Sequence, residues 1–307
     1  MNTALKIQDL VGNTPLIKLR GPSEESGCNI YGKAEFLNPG QSIKDRAALW
    51  MIRDAEKNKN LKKGGLIVEG TGGNTGIGLT ILANSMGYKT LIVMPNNQSY
   101  EKIEALKYLG ASIVLTKPAP YTDPDNYIQK AKKIAVEKNA VWTNQFDNIA
   151  NREAHIKTTS QEIWKQTDGK IDAFICSVGT GGTLAGNYIG LKEKNKNIKI
   201  FCADPYGSGM YSWIRKGYPK AALTSITEGI GQSRITKNLE GIDFDGAFKV
   251  NDITALKIIY ELINAEGLFL GPTSGINIGG AIKLAKELGP NKTIVTVLCD
   301  SAERYTS

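Results

Sequence analysis

Lys44 lies in the run Asn38-Pro39-Gly40-Gln41-Ser42-Ile43-Lys44-Asp45-Arg46, where a turn-rich lead-in meets an apolar helical stretch over 47–52. A lysine amine at such a junction, when its pKa is lowered, forms Schiff bases with aldehydes. Most lysines are merely solvated, so this one gains meaning only from its company. That company is three glycine-rich turns, at 69–78, 179–186 and 271–280. Glycine lets a backbone approach a ligand closely, and a helix start aims unpaired N–H groups at an anion. Together they describe a bound anionic cofactor gripped by main-chain amides, with the lysine supplying covalent chemistry.

The most informative turn is Ser177-Val178-Gly179-Thr180-Gly181-Gly182-Thr183. It follows an apolar run and opens a helical one. Three glycines in four positions exceed what a plain strand-to-helix turn needs, and Thr180 and Thr183 add hydroxyl donors, so phosphate is the natural ligand. A dinucleotide site competes with this reading, because Asp204 follows about twenty residues on, where a ribose-binding carboxylate falls. The third glycine of G-x-G-x-x-G would be position 184, which is leucine, and no G-x-x-x-x-G-K-[ST] occurs. The loop suits one phosphate monoester better than a pyrophosphate. The turn Glu69-Gly70-Thr71-Gly72-Gly73-Asn74-Thr75-Gly76 offers amides and side chains to a carboxylate, and a helix cap by Asn74 or Thr75 is compatible with that. In Gly271-Pro272-Thr273-Ser274-Gly275, Thr273 or Ser274 would cap a helix. Pyridoxal phosphate has an aldehyde, a phosphate and a ring nitrogen needing one partner. The chain offers a candidate for each.

The elements that must position these turns alternate. Strands are expected at 29–35, 65–69, 89–94, 112–115, 140–143, 171–178, 198–203 and 293–298. Helices are expected at 76–86, 100–109, 125–137, 151–166, 181–194, 252–266 and 274–288. Continuously apolar, β-branched runs such as Ile294-Val295-Thr296-Val297-Leu298 belong to strands covered on both faces. Alternating strands and helices predict parallel sheets with right-handed crossovers. The fold class is therefore α/β, with two open twisted sheets, mostly parallel and flanked by helices, facing each other across a cleft. The 307 residues exceed the usual limit of one core, so two units are expected: 46–150, carrying the asparagine turn, and 1–45 plus 151–307, carrying the phosphate loop.

Composition narrows the function further. The chain is 41% hydrophobic and 22% charged with a net charge of +8, but its lysines are interleaved with Asn and Glu, as on solvated helix ends, so no nucleic-acid face is read. No apolar run spans a membrane, and no secretory leader is seen, so a cytoplasmic protein is expected. Cys28, Cys176, Cys202 and Cys299 form no CxxC, and the last three sit in apolar runs, as free thiols in a reduced compartment do. His155 is the only histidine. It is read as structural or superficial, and no metal site is expected.

Asn38 to Arg46, Thr71-Gly72-Gly73-Asn74-Thr75-Gly76, Gly179 to Thr183 and the opening Val11-Gly12-Asn13-Thr14-Pro15-Leu16 resemble the cysteine synthase and cystathionine β-synthase family, which are fold-type II (tryptophan synthase β-like) pyridoxal-phosphate enzymes. The resemblance runs over 7–300. It implies that Lys44 carries pyridoxal 5'-phosphate as a Schiff base and then acts as base at the substrate Cα. It implies that Gly179, Thr180, Gly181, Gly182 and Thr183 bind the phosphate, that Asn74 meets the ring hydroxyl, and that Thr273, with Ser274 as its neighbour, meets the ring nitrogen. Thr71, Gly72, Asn74, Thr75 and Gln145 match substrate-carboxylate positions, and Gly229 matches the mouth loop. The implied reaction is β-replacement making L-cysteine from O-acetyl-L-serine and sulfide, in a homodimer that could partner serine acetyltransferase. The alternatives are cystathionine β-synthase acting on serine and homocysteine, an O-phosphoserine-using cysteine synthase, a dehydratase, and an inactive metabolite-sensing homologue. Two departures stand out: Gly72 where the family commonly has serine, and Arg234, which would either favour an anionic substrate or be a surface arginine.

Overall fold

Strand formation follows burial. Residues 67–68, 91–94 and 294–298 are wholly buried, and only strands with helices on both faces bury such runs end to end. The computed structural model describes residues 3–221 and 223–306. Its strands are β1 (Leu16–Lys18), β2 (Asn29–Ala34), β3 (Leu66–Gly70), β4 (Lys89–Pro95), β5 (Ser112–Thr116), β6 (Val141–Trp142), β7 (Ala173–Cys176), β8 (Lys199–Pro205), β9 (Gly246–Val250) and β10 (Thr293–Leu298). Six form one sheet in the order β1-β2-β10-β7-β8-β9, and four form another in the order β5-β4-β3-β6. Only the β1–β2 pair is antiparallel. This is the expected α/β architecture of two mostly parallel sheets.

β1 and β9 were not legible in the sequence. β1 has three residues, too few to show a period. β9 contains Gly246 and Lys249, which interrupt the apolar pattern of a buried strand. The strand accepts Lys249 because Asp204 Oδ2 takes its ammonium at 2.8 Å, as do the carbonyls of Pro205 and Ser208 at 2.8 and 2.7 Å. The expected helix at 151–166 is interrupted. It runs as Ala150–Ala154, a π-helical turn His155–Thr159, and Ser160–Gln166. The Thr158 and Ser160 hydroxyls donate to the carbonyls of Ala154 and Ile156, competing with the regular ladder.

The helix Lys44–Lys57 is anchored two residues beyond Lys44. Arg46 is 1% exposed. Its guanidinium donates to Glu35 at 2.7 Å through both Nε and Nη2, and to Glu162 at 2.7 and 2.8 Å. Lys33 Nζ reaches Glu162 at 2.6 Å. Burial pushes the Glu35 carboxyl up, but the Arg46 guanidinium outweighs it and holds the group at about 2. This ionic knot joins the end of β2, the helix carrying Lys44 and the helix Ser160–Gln166.

Candidate active site

Four helices start at one cavity of about 450 Å³, within the size range of small-molecule sites. They are Lys44–Lys57, Asn74–Met86, Gly182–Lys194 and Pro272–Leu288, and at none does the N-cap residue's own side chain take a first-turn N–H. At the Lys44 helix the chain supplies partners itself, Ser42 Oγ accepting the Lys44 N–H at 3.2 Å and the Ser42 carbonyl the Asp45 N–H at 3.3 Å, so the first-turn N–H groups left for a ligand belong to the other three. The convergence is a general device for holding an anion.

Most of the residues singled out by the sequence meet here. Lys44, Thr71, Gly72, Asn74, Thr75, Gln145, Gly179, Thr180, Gly181, Thr183, Gly229 and Thr273 all line the cavity. Two do not. Gly182 lies behind the wall, where an added Cβ would sit 2.2 Å from Asn151 Oδ1. Ser274 is 0% exposed, and its hydroxyl accepts the Cys299 N–H at 2.9 Å. Thr273 is thus the hydroxyl that faces the cavity.

The 179–183 loop is shaped by contacts that only glycine permits. A Cβ on Gly179 would lie 2.3 Å from the Gly229 carbonyl oxygen, and Gly181 has φ +88°. Asn151 Nδ2 donates to Thr180 Oγ1 at 2.9 Å, and Thr236 Oγ1 donates to the Thr180 carbonyl at 2.7 Å. His155 stands behind the loop, 3.3 Å from Thr183 Oγ1. It is 1% exposed, and burial, helped by the Arg46 charge, pushes its pKa down to about 3, so it is neutral and structural, not superficial.

The 71–76 turn rests on Glu69, which is wholly buried. Glu69 Oε2 accepts Thr143 Oγ1 at 2.5 Å and the Gln145 N–H at 3.2 Å. Gln145 in turn accepts the Thr75 hydroxyl at 2.6 Å and donates to the Gly70 carbonyl at 3.0 Å. Burial raises Glu69 to about 7 against the pull of these donors, and burial raises Asp45 to about 7 as well. A raised folded pKa contributes stability below the unfolded value, and that contribution is lost as pH rises through the folded value. Stability should therefore decline from about pH 4.5 to about pH 7, by up to ~1.4 kcal/mol per pH unit for each group. Denaturant titrations of Glu69→Gln across that window should show a shallower decline.

Gly72 leaves room that Gln98 covers, since a Cβ at 72 would be 2.8 Å from Gln98 Oε1. Arg234 is committed elsewhere. It pairs with Asp147 at 3.0 Å and stacks 4.4 Å from the Tyr121 ring centroid, off the cavity wall. The two thiols on the cavity wall, Cys176 and Cys299, are held in the protonated form. Burial, with Asp300 adding, pushes Cys299 up to about 12, and Cys176 is raised well above its usual value by burial.

Several wall residues had no signal in the sequence. Glu228 accepts Ser99 N–H at 3.0 Å, Ser99 Oγ at 3.2 Å and Lys102 Nζ at 2.5 Å, tying the mouth loop to the start of the helix Tyr100–Tyr108. Asp300 and Tyr305 come from the segment after β10, where no motif singled them out. Asn277 spans β7 and β10, accepting Ser177 N–H at 2.7 Å and donating to the Val297 carbonyl at 2.8 Å.

A lysine at a helix start, a backbone approach at Gly179 too tight for a side chain, and three further helix starts at the same cavity fit an aldehyde-bearing phosphate. The chain belongs to the pyridoxal-phosphate-dependent enzyme family, whose pattern matches residues 7–300. Within it, the chain is 51% identical to cysteine synthase 1 of Neurospora crassa over 301 residues, covering 96% of this chain and 80% of that one. Its fold matches a hydrogen-sulfide-producing enzyme from Fusobacterium nucleatum at TM-score 0.90 and 36% identity, covering 99% and 100% of the two chains. It matches an O-acetylserine-dependent cystathionine β-synthase from Helicobacter pylori at TM-score 0.89 and 30% identity, covering 100% and 98%.

Proposed function

We propose that this protein is a cysteine synthase that replaces the acetoxy group of O-acetyl-L-serine with sulfide, giving L-cysteine. One observation carries the reading: Lys44, the 71–75 turn, Gly179, Thr180, Gly181, Thr183 and Thr273 face a single cavity. Pyridoxal phosphate, when bound, supplies an electron sink for the carbon bearing the amino group. The remaining work belongs to the chain. Gly179, Thr180, Gly181 and Thr183 would hold the phosphate with N–H and hydroxyl donors, and Gly182 starts the helix behind them. Lys44 Nζ would hold the cofactor covalently and, when free, take the substrate Cα proton. The backbone of Gly72, with Thr71, Asn74, Thr75 and Gln145, would orient the substrate carboxylate.

Asn74 would meet the ring oxygen and Thr273 the ring nitrogen. A hydroxyl at that nitrogen does not demand a protonated ring, which favours loss of a β-substituent over a long-lived carbanion. Carboxylate binding on the 46–150 unit would draw the cleft shut against 1–45 plus 151–307, with Gly229 at the mouth.

A donor panel of O-acetylserine, O-phosphoserine and serine, each with sulfide or homocysteine, tests the assignment. O-acetylserine should shift the visible absorbance and release cysteine with sulfide. Absence of any shift with that donor rejects it. Cystathionine formed faster than cysteine would favour a cystathionine β-synthase, and the O-acetylserine dependence of the Helicobacter pylori neighbour is why homocysteine is paired with O-acetylserine as well as with serine. Gly179→Ala should weaken cofactor affinity about tenfold or more, since overpacking against the Gly229 carbonyl costs roughly 1–3 kcal/mol. Equilibrium dialysis measures it. A cytoplasmic homodimer is part of the proposal. Four free cysteines support a reducing compartment, and among the described residues no helix is long and apolar enough to cross a membrane. Cell fractionation, sedimentation, and a binding assay with serine acetyltransferase would check location, assembly and that partner.

A further inference from the structure

We propose that Asp300 and Arg304, backed by Tyr305, are positioning residues that decide which end of the Asn74 amide faces the cofactor. The inference rests on the reading of Asn74 as the partner of the cofactor ring oxygen. A carboxamide has two nearly isosteric ends, one accepting and one donating. A ring oxygen that has lost its proton only accepts, so Asn74 serves it only by presenting an N–H.

The neighbours settle the orientation from both sides. Asn74 Nδ2 donates to Asp300 Oδ2 at 2.7 Å. Arg304 Nη1 donates to Asn74 Oδ1 at 2.5 Å. A guanidinium has no acceptor and a carboxylate no donor, so turning the amide over would set like against like at both ends. With one N–H on Asp300, the Asn74 amide keeps its second for a ligand.

The two side chains are themselves held. Asp300 is 1% exposed and Arg304 7%. The Tyr305 hydroxyl donates to the same Asp300 oxygen at 2.6 Å. Burial, with Asp300 adding, raises the Tyr305 pKa well above its usual value, which keeps it a donor. The other Asp300 oxygen is packed against the Gly271 turn, where a Cβ would lie 2.3 Å away. Arg304 Nη2 also donates to the Gly40 carbonyl, in the lead-in to Lys44. One guanidinium thus ties the asparagine turn to the lysine turn, and both belong to the proposed cofactor site. All three residues lie at or beyond 300, at the edge of the stretch that the family pattern matches.

The test is a double-mutant cycle on cofactor affinity, with Asp300→Asn, Asn74→Ala and their combination, read by equilibrium titration of the apo-proteins with pyridoxal phosphate. Asp300→Asn should weaken binding roughly tenfold and move the visible band of the lysine-bound cofactor. It should add little on top of Asn74→Ala, because it acts through that amide. Tyr305→Phe, which deletes one donor, and Arg304→Gln, which removes the guanidinium that bonds both Asn74 and Gly40, should shift the band in the same direction, and apo-protein melting would show that they fold. An unchanged band and affinity in folded Asp300→Asn, or losses that simply add in the cycle, would overturn the proposal. Should Asp300→Asn fail to fold, unchanged affinity and band in Tyr305→Phe and Arg304→Gln would overturn it equally. Borohydride labelling of the wild type keeps the two readings apart. An adduct on Lys44 with indifferent variants sinks only this inference, while no adduct on Lys44 sinks the cofactor site itself.

Discussion

Lys44→Ala is expected to lower turnover by roughly a thousandfold or more, because in the proposed site the same amine would serve as covalent anchor and as proton acceptor. The cofactor should then dialyse away freely. The side chain is half-buried in the cavity wall, and the helix it starts is anchored by Arg46, so the melting temperature of the apo-protein should hardly move. Steady-state kinetics, dialysis and calorimetry on the same preparation separate these effects. A variant that kept a tenth of its turnover would show that the proton moves through some other group.

Arg46→Met should be the costliest substitution for stability, at about 3–5 kcal/mol, because it leaves the fully buried Glu35 without its counter-charge. That is a large share of the roughly 5–15 kcal/mol that holds most domains folded. Glu35→Gln in the same background should recover part of the loss, since the uncompensated charge disappears with it. The acid limb offers a second readout. The Glu35 carboxyl is held at about 2, below its usual 4.5. A depressed folded pKa gives stability that is whole above the unfolded value and fades as pH falls toward the folded one. Urea midpoints of the unsubstituted protein should therefore drop between about pH 4.5 and pH 2. Equal midpoints for Arg46→Met and the unsubstituted protein at pH 7 would contradict the account of the knot.

What was legible in the chain depended on local pattern. Buried runs such as 91–94 and 294–298 announced their strands, because burial on both faces demands continuous apolar residues. The 179–183 loop was legible as a tight turn because close backbone approaches need glycine in sequence order, as the Gly179 contact with Gly229 shows. β9 was hidden because the neutralisation of Lys249 by Asp204 is made across strands. Thr273 and Ser274 were indistinguishable as neighbours, and only helix rotation turns one into the cavity and the other toward Cys299. Arg234 read as a candidate at the mouth because Asp147, its partner, lies 87 residues away. The Asp300, Arg304 and Tyr305 cluster reaches Asn74 across more than two hundred positions, so no local spacing could have disclosed it.

The most direct measurement is borohydride reduction of the purified holo-protein followed by peptide mass mapping. A single reduced pyridoxyl adduct is expected on the peptide containing Lys44. An adduct on any other lysine, or none at all, would contradict the assignment of this cavity.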